Sequence, residues 1–143
     1  MIEVCVADTE DDRKSAFSVR HEVFVEEQGV DEELEYDEHD SDAVHFVAYD
    51  GDEPIGAARL REIAEDIGKV ERVAVVQSRR EAGVGRELMA IVERRARGLG
   101  LTTLKLHSQT RSAPFYRALG YERRGEEFEE AGIPHVEMRK RLE

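Results

Sequence analysis

Residues 70–88, VERVAVVQSRREAGVGREL, confine the fold more than any other stretch of this chain. The run Val73 to Val76 is wholly apolar, the pattern of a central strand covered on both faces. Two glycines, Gly83 and Gly85, follow in a polar turn. From there Val84, Leu88, Ile91, Val92 and Leu99 line one side of a helix and charged residues fill the other. A buried strand that turns through glycines into an amphipathic helix is the elementary unit of an α/β fold.

The same corner carries chemistry. A helix that starts just past a strand offers several free N–H groups and the positive end of its dipole. Gly83 and Gly85 let the backbone approach a ligand closely, and Arg79, Arg80 and Arg86 add positive charge. Together they describe a phosphate cradle. It is not a P-loop, because Arg86-Glu87 stand where lysine and serine or threonine are required. It is not a dinucleotide fingerprint either, because Leu88 occupies the place of the third glycine. A plain turn with a helix cap would need one glycine, not two beside arginines.

The remaining chain reads as one domain of 143 residues in the order β-α-β-β-β-α-β-α-β-β. Ile2, Val4 and Val6 alternate as in a strand, Thr9 caps a helix with Asp12 three residues on, and Ala16, Phe17, Arg20, Val23 and Phe24 keep a helical period. Residues 31–42, DEELEYDEHDSD, are too acidic to pack and are expected to form a loop. A hairpin around Asp50-Gly51 precedes the strand over 69–76. The helix over 85–99 ends at the GLG of 98–100, and LTTLKLHS forms the next strand. A short helix capped by Ser112, with Pro114 in its first turn, then leads to two strands paired around EEAG.

Thirty-three acidic residues against 21 basic ones leave a net charge of −12, which argues against nucleic acids and anionic membranes as partners. No apolar run is long enough to span a bilayer, and MIEVCVADTEDD has no secretory pattern. The single cysteine, Cys5, allows no internal disulfide and reads as strand packing, so a cytoplasmic setting is expected. Four lysines against 17 arginines on an acidic background resemble proteins of high-salt cytoplasms. His39, Asp40 and Asp42 suggest a metal site, but the segment lacks the glycine and closing glutamate of an EF-hand loop, and no metal is expected.

The spacing Arg80-x-x-Gly83-x-Gly85 after RVAVV resembles the acetyl-CoA loop of the GNAT superfamily of N-acetyltransferases. Downstream, HSQTRSAPFYRALGYE resembles that family's second signature. RHEVFVEEQGV, DEHDSDAVH and FEEAGIPHVEMRK resemble its ElaA-type subgroup, so the likeness runs from about Arg20 to Arg139. It implies a GNAT-like mixed, mostly antiparallel sheet of six to seven strands flanked by helices, with the central fourth and fifth strands splayed around a pantetheine arm. Val73, Ala74 and Val75 would offer backbone groups to that arm, and Arg80, Glu81, Ala82, Gly83, Val84, Gly85 and Arg86 would wrap the pyrophosphate. Gln109 stands where many members carry an asparagine facing the cofactor.

The implied reaction is acetyl transfer from acetyl-CoA to a small-molecule amine acceptor by direct attack. Tyr116 matches the family's acid beside the thioester sulfur. For the base three readings stay open: Glu71 on the fourth strand, His107 on the fifth, or a water relay, with Glu71 alternatively no more than a partner for Arg59. Glu27, Gln28, His45 and His135 match the subgroup pattern as acceptor-pocket residues or as buried hydrogen-bonding ones. The acidic 31–42 segment would give a carboxylate-lined entrance suited to a cationic amine. A competing reading keeps the cradle in a catalytically silent acetyl-CoA-binding module that regulates a protein partner. A homodimer is left open.

Overall fold

The computed structural model describes residues 1–142. Along the chain it contains β1 (Ile2–Val6), α1 (Glu10–Arg20), α2 (Glu32–Glu35), β2 (Val44–Asp50), β3 (Glu53–Ala64), β4 (Ile67–Val75), α3 (Val84–Gly98), β5 (Thr103–Gln109), α4 (Ala113–Ala118), β6 (Glu122–Glu130) and β7 (Ile133–Arg141). The seven strands form one sheet in the order β1-β2-β3-β4-β5-β7-β6. Every neighbouring pair is antiparallel except β4–β5. This is the expected mixed α/β sheet.

The β4–β5 pair controls the site. It stays in register only from Ile67–Val70 against Thr103–Leu106, although β4 continues to Val75 and β5 to Gln109. Past Val70 the strands part, which is the splay anticipated above. The bend has a local cause. Arg72 sits at φ +56°, and the β3–β4 register shifts between Ala57 and Arg59, opposite it. An extra residue in one strand of a pair increases twist and turns that strand aside.

Helix α3 buries Val84, Leu88, Met89, Val92 and Ala96. It crosses β3 at Gly56, where an added Cβ would lie 2.9 Å from Leu88 Cδ1 and 3.0 Å from Val84 Cγ1. That close approach sets the start of α3 beside the fork. Thr9 caps α1 as expected, its Oγ1 accepting from the Asp12 N–H at 3.1 Å. The helix then widens into a π-helical stretch, His21–Glu27, so the single helical period read through Val23 and Phe24 spans two windings.

The acidic segment differs from its expectation. Residues 31–42 fold into α2 and a turn of 3₁₀-helix, Glu38–Ser41, because their carboxylates meet arginines. Buried Arg20 binds buried Glu35 at 2.8 Å and Asp40 at 2.8 Å. Buried Arg59 binds Asp37 at 2.7 Å and Asp40 at 2.9 Å. Arg72 reaches the Glu35 and Leu34 carbonyls and the Asp37 carboxylate, each within 3.2 Å. Among the described residues no helix is long and apolar enough to cross a membrane.

Candidate active site

The cradle is built by the start of α3. Its helical ladder opens with the Glu87 N–H on the Gly83 carbonyl at 3.1 Å, so the N–H groups of Val84, Gly85 and Arg86 precede it. No side chain caps this end. Gly83 adopts φ +84°, and nothing lies within 4 Å of the position its Cβ would take. Glu81, Ala82 and Arg86 are exposed, and Arg86 forms no ion pair among the described residues. Unpaired donors, open ground above a glycine and one uncommitted guanidinium fit the phosphates of an acyl-CoA. The second glycine has a different cause from the one read in the sequence. A Cβ at Gly85 would stand 3.0 Å from Phe115 Cζ, so its lack of a side chain makes room for that ring.

Two of the three arginines expected at the cradle are committed elsewhere. Arg79 pairs with Asp50 and, at 2.8 Å, with Glu53, across the β2–β3 hairpin. Arg80 makes a two-pronged contact with Glu27 and donates Nε–H to the Val75 carbonyl at 3.0 Å. The Arg80 hydrogen bond holds the Glu27 carboxyl below its usual range. Val73, Ala74 and Val75 all lie beyond the last β4–β5 pair, on the open arm of the fork.

Tyr116 of α4 is buried, edge-on to Phe115 at 4.9 Å and to Tyr121 at 5.9 Å. Its hydroxyl has no hydrogen-bond partner among the described residues. Burial pushes the phenol well above its ordinary range, so it keeps its proton at neutral pH.

The two base candidates stand on either side of the fork, Glu71 next after Val70 and His107 next after Leu106. They differ in their surroundings. Glu71 accepts from Arg61 Nε at 2.6 Å and Arg59 Nη2 at 2.7 Å, with Lys69 Nζ at 3.2 Å. Burial pushes its carboxyl up, but the Arg61 hydrogen bond and the Arg59 and Lys69 charges outweigh it and bring it to about 2. A carboxylate held by three cations is a poor proton acceptor. The pairing with Arg59 is therefore what the geometry favours for Glu71, and the expected base role finds no support in it.

His107 faces Glu130, Nδ1 to Oε1 at 2.9 Å, and lies edge-on to Phe128 at 5.0 Å. The His107 hydrogen bond holds the Glu130 carboxyl below its usual range against burial. The ionised oxygen accepts from Nδ1–H, and in the neutral form of the ring Nε2 carries the lone pair. His135 approaches the other Glu130 oxygen at 3.7 Å and donates Nδ1–H to the Ile133 carbonyl at 2.7 Å. Sequence reasoning missed Glu130. No local signal marks it, and strand register alone does not bring it there, since Glu130 lies opposite Ile133 while His107 lies opposite Glu137, four residues further along β7.

The expected acceptor residues separate into three places, with Glu27 and Gln28 in one cleft, His135 beside Glu130 and His45 in the core. Gln109 Nε2 donates to Gln28 Oε1 at 2.9 Å, and Arg111 Nε donates to Gln109 Oε1 at 2.9 Å. With Glu27 and Pro134 these residues line a cleft of about 290 Å³. His45 is not brought to it. It is buried beneath Phe17, 5.2 Å away, and donates Nε2–H to the Asp40 carbonyl at 2.7 Å. Desolvation lowers its pKa, so it is a neutral packing residue. The carboxylate-lined entrance also does not form as expected, because Glu35, Asp37 and Asp40 are neutralised by arginine. Among the described residues no three His, Cys, Asp or Glu side chains are grouped to hold a metal ion.

Known proteins resemble this chain over nearly its whole length. Residues 6–142 match the acetyltransferase (GNAT) domain. The uncharacterized N-acetyltransferase YjcF of Bacillus subtilis is 45% identical over 136 residues, which cover 94% of this chain and 96% of that protein. The crystal structure of Escherichia coli ElaA superposes with a TM-score of 0.86 at 26% identity, covering 98% of this chain and 99% of that one. An acyl-CoA N-acyltransferase from Pseudomonas aeruginosa superposes with a TM-score of 0.86 at 28% identity, over 98% and 99% of the two chains. A forked mixed sheet, an uncapped helix start at the fork and a domain match over nearly the whole length lead to one conclusion: the chain belongs to the GNAT family of acetyltransferases.

Proposed function

We propose that the protein moves an acetyl group from acetyl-CoA to the nitrogen of a small primary amine by direct attack. The observation that carries this reading is the fork itself: two strands part at Val70 and Leu106, beside an uncapped helix start whose Gly85 lies against Phe115, the ring neighbour of Tyr116. The first turn of α3 and Arg86 hold the phosphates. The open arm of β4 at Val73 and Ala74 offers backbone groups to the extended pantetheine, as a strand offers them to a neighbour.

His107 accepts the amine's proton through Nε2, while Glu130 fixes the ring through Nδ1–H. The nitrogen forms a bond to the carbonyl carbon, the carbon–sulfur bond breaks, and Tyr116 delivers a proton to the departing thiolate. Glu71 stays ionised throughout and anchors Arg59 and Arg61. Cys5, on β1 at the far edge of the sheet, takes no part.

The test is CoA release and product mass shift over a panel of primary amines. Turnover with at least one amine is expected, and His107→Gln should lower kcat by about 10²-fold or more while the KM for acetyl-CoA changes little. Tight acetyl-CoA binding with no turnover on any amine would overturn the transfer reading in favour of a silent binding module. Unchanged kcat in His107→Gln would return the base role to water.

A further inference from the structure

Four cationic residues stand side by side on four adjacent strands. Arg61 of β3 is in register with Lys69 of β4, Lys69 with Lys105 of β5, and Lys105 with Arg139 of β7. Residues opposite one another share a face, so the four side chains form one line about 14 Å long, at a strand spacing of about 4.8 Å. They occupy the face of Glu71 and His107. Each lies two residues from the row at the fork, about 7 Å along its strand.

Such a row works against the fold, because like charges directly opposite one another destabilise a sheet. The chain carries a net charge of −12 and only four lysines, and two of those are here. Two carboxylates form ion pairs with the four cations, and a third, Glu130, feels the charge of Lys69 without pairing with it. Glu71 takes Arg61 and Lys69, at 2.6 and 3.2 Å, and is also shared with Arg59. Glu137 takes Arg139 and Lys105, at 2.9 and 3.5 Å. Glu122 of β6 lies in register with Arg139 but forms no ion pair among the described residues.

A network built only for stability would set opposite charges face to face, and the neighbouring row does so at both ends, where Arg59 faces Glu71 and Glu137 faces Arg124. The cationic side chains are also partly sheltered, from 17% exposed at Lys69 to 31% at Arg139, so bulk water screens them only in part.

We propose that this row binds the anionic end of the acceptor, so that the substrate is an amine carrying a carboxylate or phosphate within about 7 Å of its nitrogen. The proposal rests on the acetyl-transfer reading above and replaces the cationic acceptor expected from the sequence. The amine lies at the fork beside His107, and the anion lies over Lys69 and Lys105. A small acceptor anchored at one end presents its nitrogen in a fixed place, which lowers the entropy lost in the transition state.

The test compares matched amines: 4-aminobutyrate against butylamine, and 2-aminoethyl phosphate against ethanolamine. At least one anionic member should exceed its neutral partner tenfold or more in kcat/KM, and which pair shows the larger ratio tells carboxylate from phosphate. Lys105→Ala should bring the ratio towards one, and Lys105→Glu should invert it towards 1,4-diaminobutane. Removing one of four like charges should leave the melting temperature unchanged or raised; if Lys105→Ala does not fold, Arg139→Gln serves in its place.

Wild-type preference for butylamine or 1,4-diaminobutane over 4-aminobutyrate and 2-aminoethyl phosphate would overturn the proposal and leave acetyl transfer standing. If no amine turns over, the transfer reading fails, and amide shifts on titration with inorganic phosphate decide whether the row binds anions. Saturable shifts at Lys69, Lys105 and Arg139, independent of those at Val84 to Arg86, support the site. Shifts confined to the start of α3 overturn it.

Discussion

Arg80 and Glu27, 53 residues apart in the chain, meet through two parallel contacts of 2.6 Å, while Arg80 also grips the Val75 carbonyl at 3.0 Å. The pair fastens the end of the π-helical stretch to the last residue of β4. Both partners are about one-third exposed, so the bridge contributes at most about 1 kcal/mol to stability. Its value is positional. If Arg80 acts through Glu27, then Arg80→Ala and Glu27→Ala should weaken acetyl-CoA binding by similar factors. The double variant should then be no weaker than the weaker single one. Calorimetry on the four proteins measures this. An Arg80→Ala loss that Glu27→Ala does not share would mean that the guanidinium reaches the phosphates itself.

Gly83 separates backbone strain from ligand contact. At φ +84° any side chain is strained by about 1 kcal/mol or more, and nothing in the protein occupies the space above it. Gly83→Val is expected to lower the melting temperature by a few degrees and acetyl-CoA affinity at least tenfold, about 1.4 kcal/mol. Calorimetry that finds unchanged affinity in a folded variant would remove the phosphates from this corner.

Tyr116→Phe deletes one hydroxyl that holds no hydrogen bond among the described residues and keeps a ring packed against Phe115 and Tyr121. Melting temperature and acetyl-CoA affinity should barely change. If the hydroxyl supplies the thiolate's proton, kcat should fall about 10²–10⁴-fold. A stable variant with wild-type kcat would make Tyr116 a packing residue.

Glu71 should make the protein acid-sensitive. Its carboxyl falls from 4.5 to about 2 on folding, so it stabilises the folded state at every pH above about 4.5. That contribution is lost as pH drops from 4.5 towards 2, where the folded protein must take up the proton. Glu71→Gln should cost about 3 kcal/mol at pH 7, because it leaves buried Arg59 short of one partner. It should also flatten the stability profile between pH 4.5 and 2. Urea titrations of both proteins across that range give the comparison. Parallel profiles would show that other carboxylates govern the acid limb.

The strand, the glycine corner and α3 were legible because every signal for them is local: an apolar run, a turn and a periodic helix within residues 70–99. Residues 31–42 were not. Their acidity argues for a solvated loop until Arg20, Arg59 and Arg72 arrive from elsewhere in the chain to neutralise it. Glu130 was missed for the same reason, since its partner His107 lies 23 residues away on another strand. Nor does an arginine announce a left-handed backbone. Only a family resemblance signalled that β4 and β5 separate, and the bend at Arg72 that parts them carries no mark of its own. The cationic row is invisible in the linear sequence, because its four members become neighbours only through strand register.

The fork described above gives the sheet two additional edges in its interior. The strands β5, β7 and β6 meet the other four strands across only four residue pairs. An extended guest that fills the gap acts as a seam between the two halves and should slow amide exchange in β5 and β7 more than in β2. Such a guest stabilises the folded chain by mass action, about 2.7 kcal/mol at a hundredfold excess over Kd. The resistance of this protein to unfolding, and to any protease that waits on unfolding, is thereby tied to the local concentration of acyl-CoA.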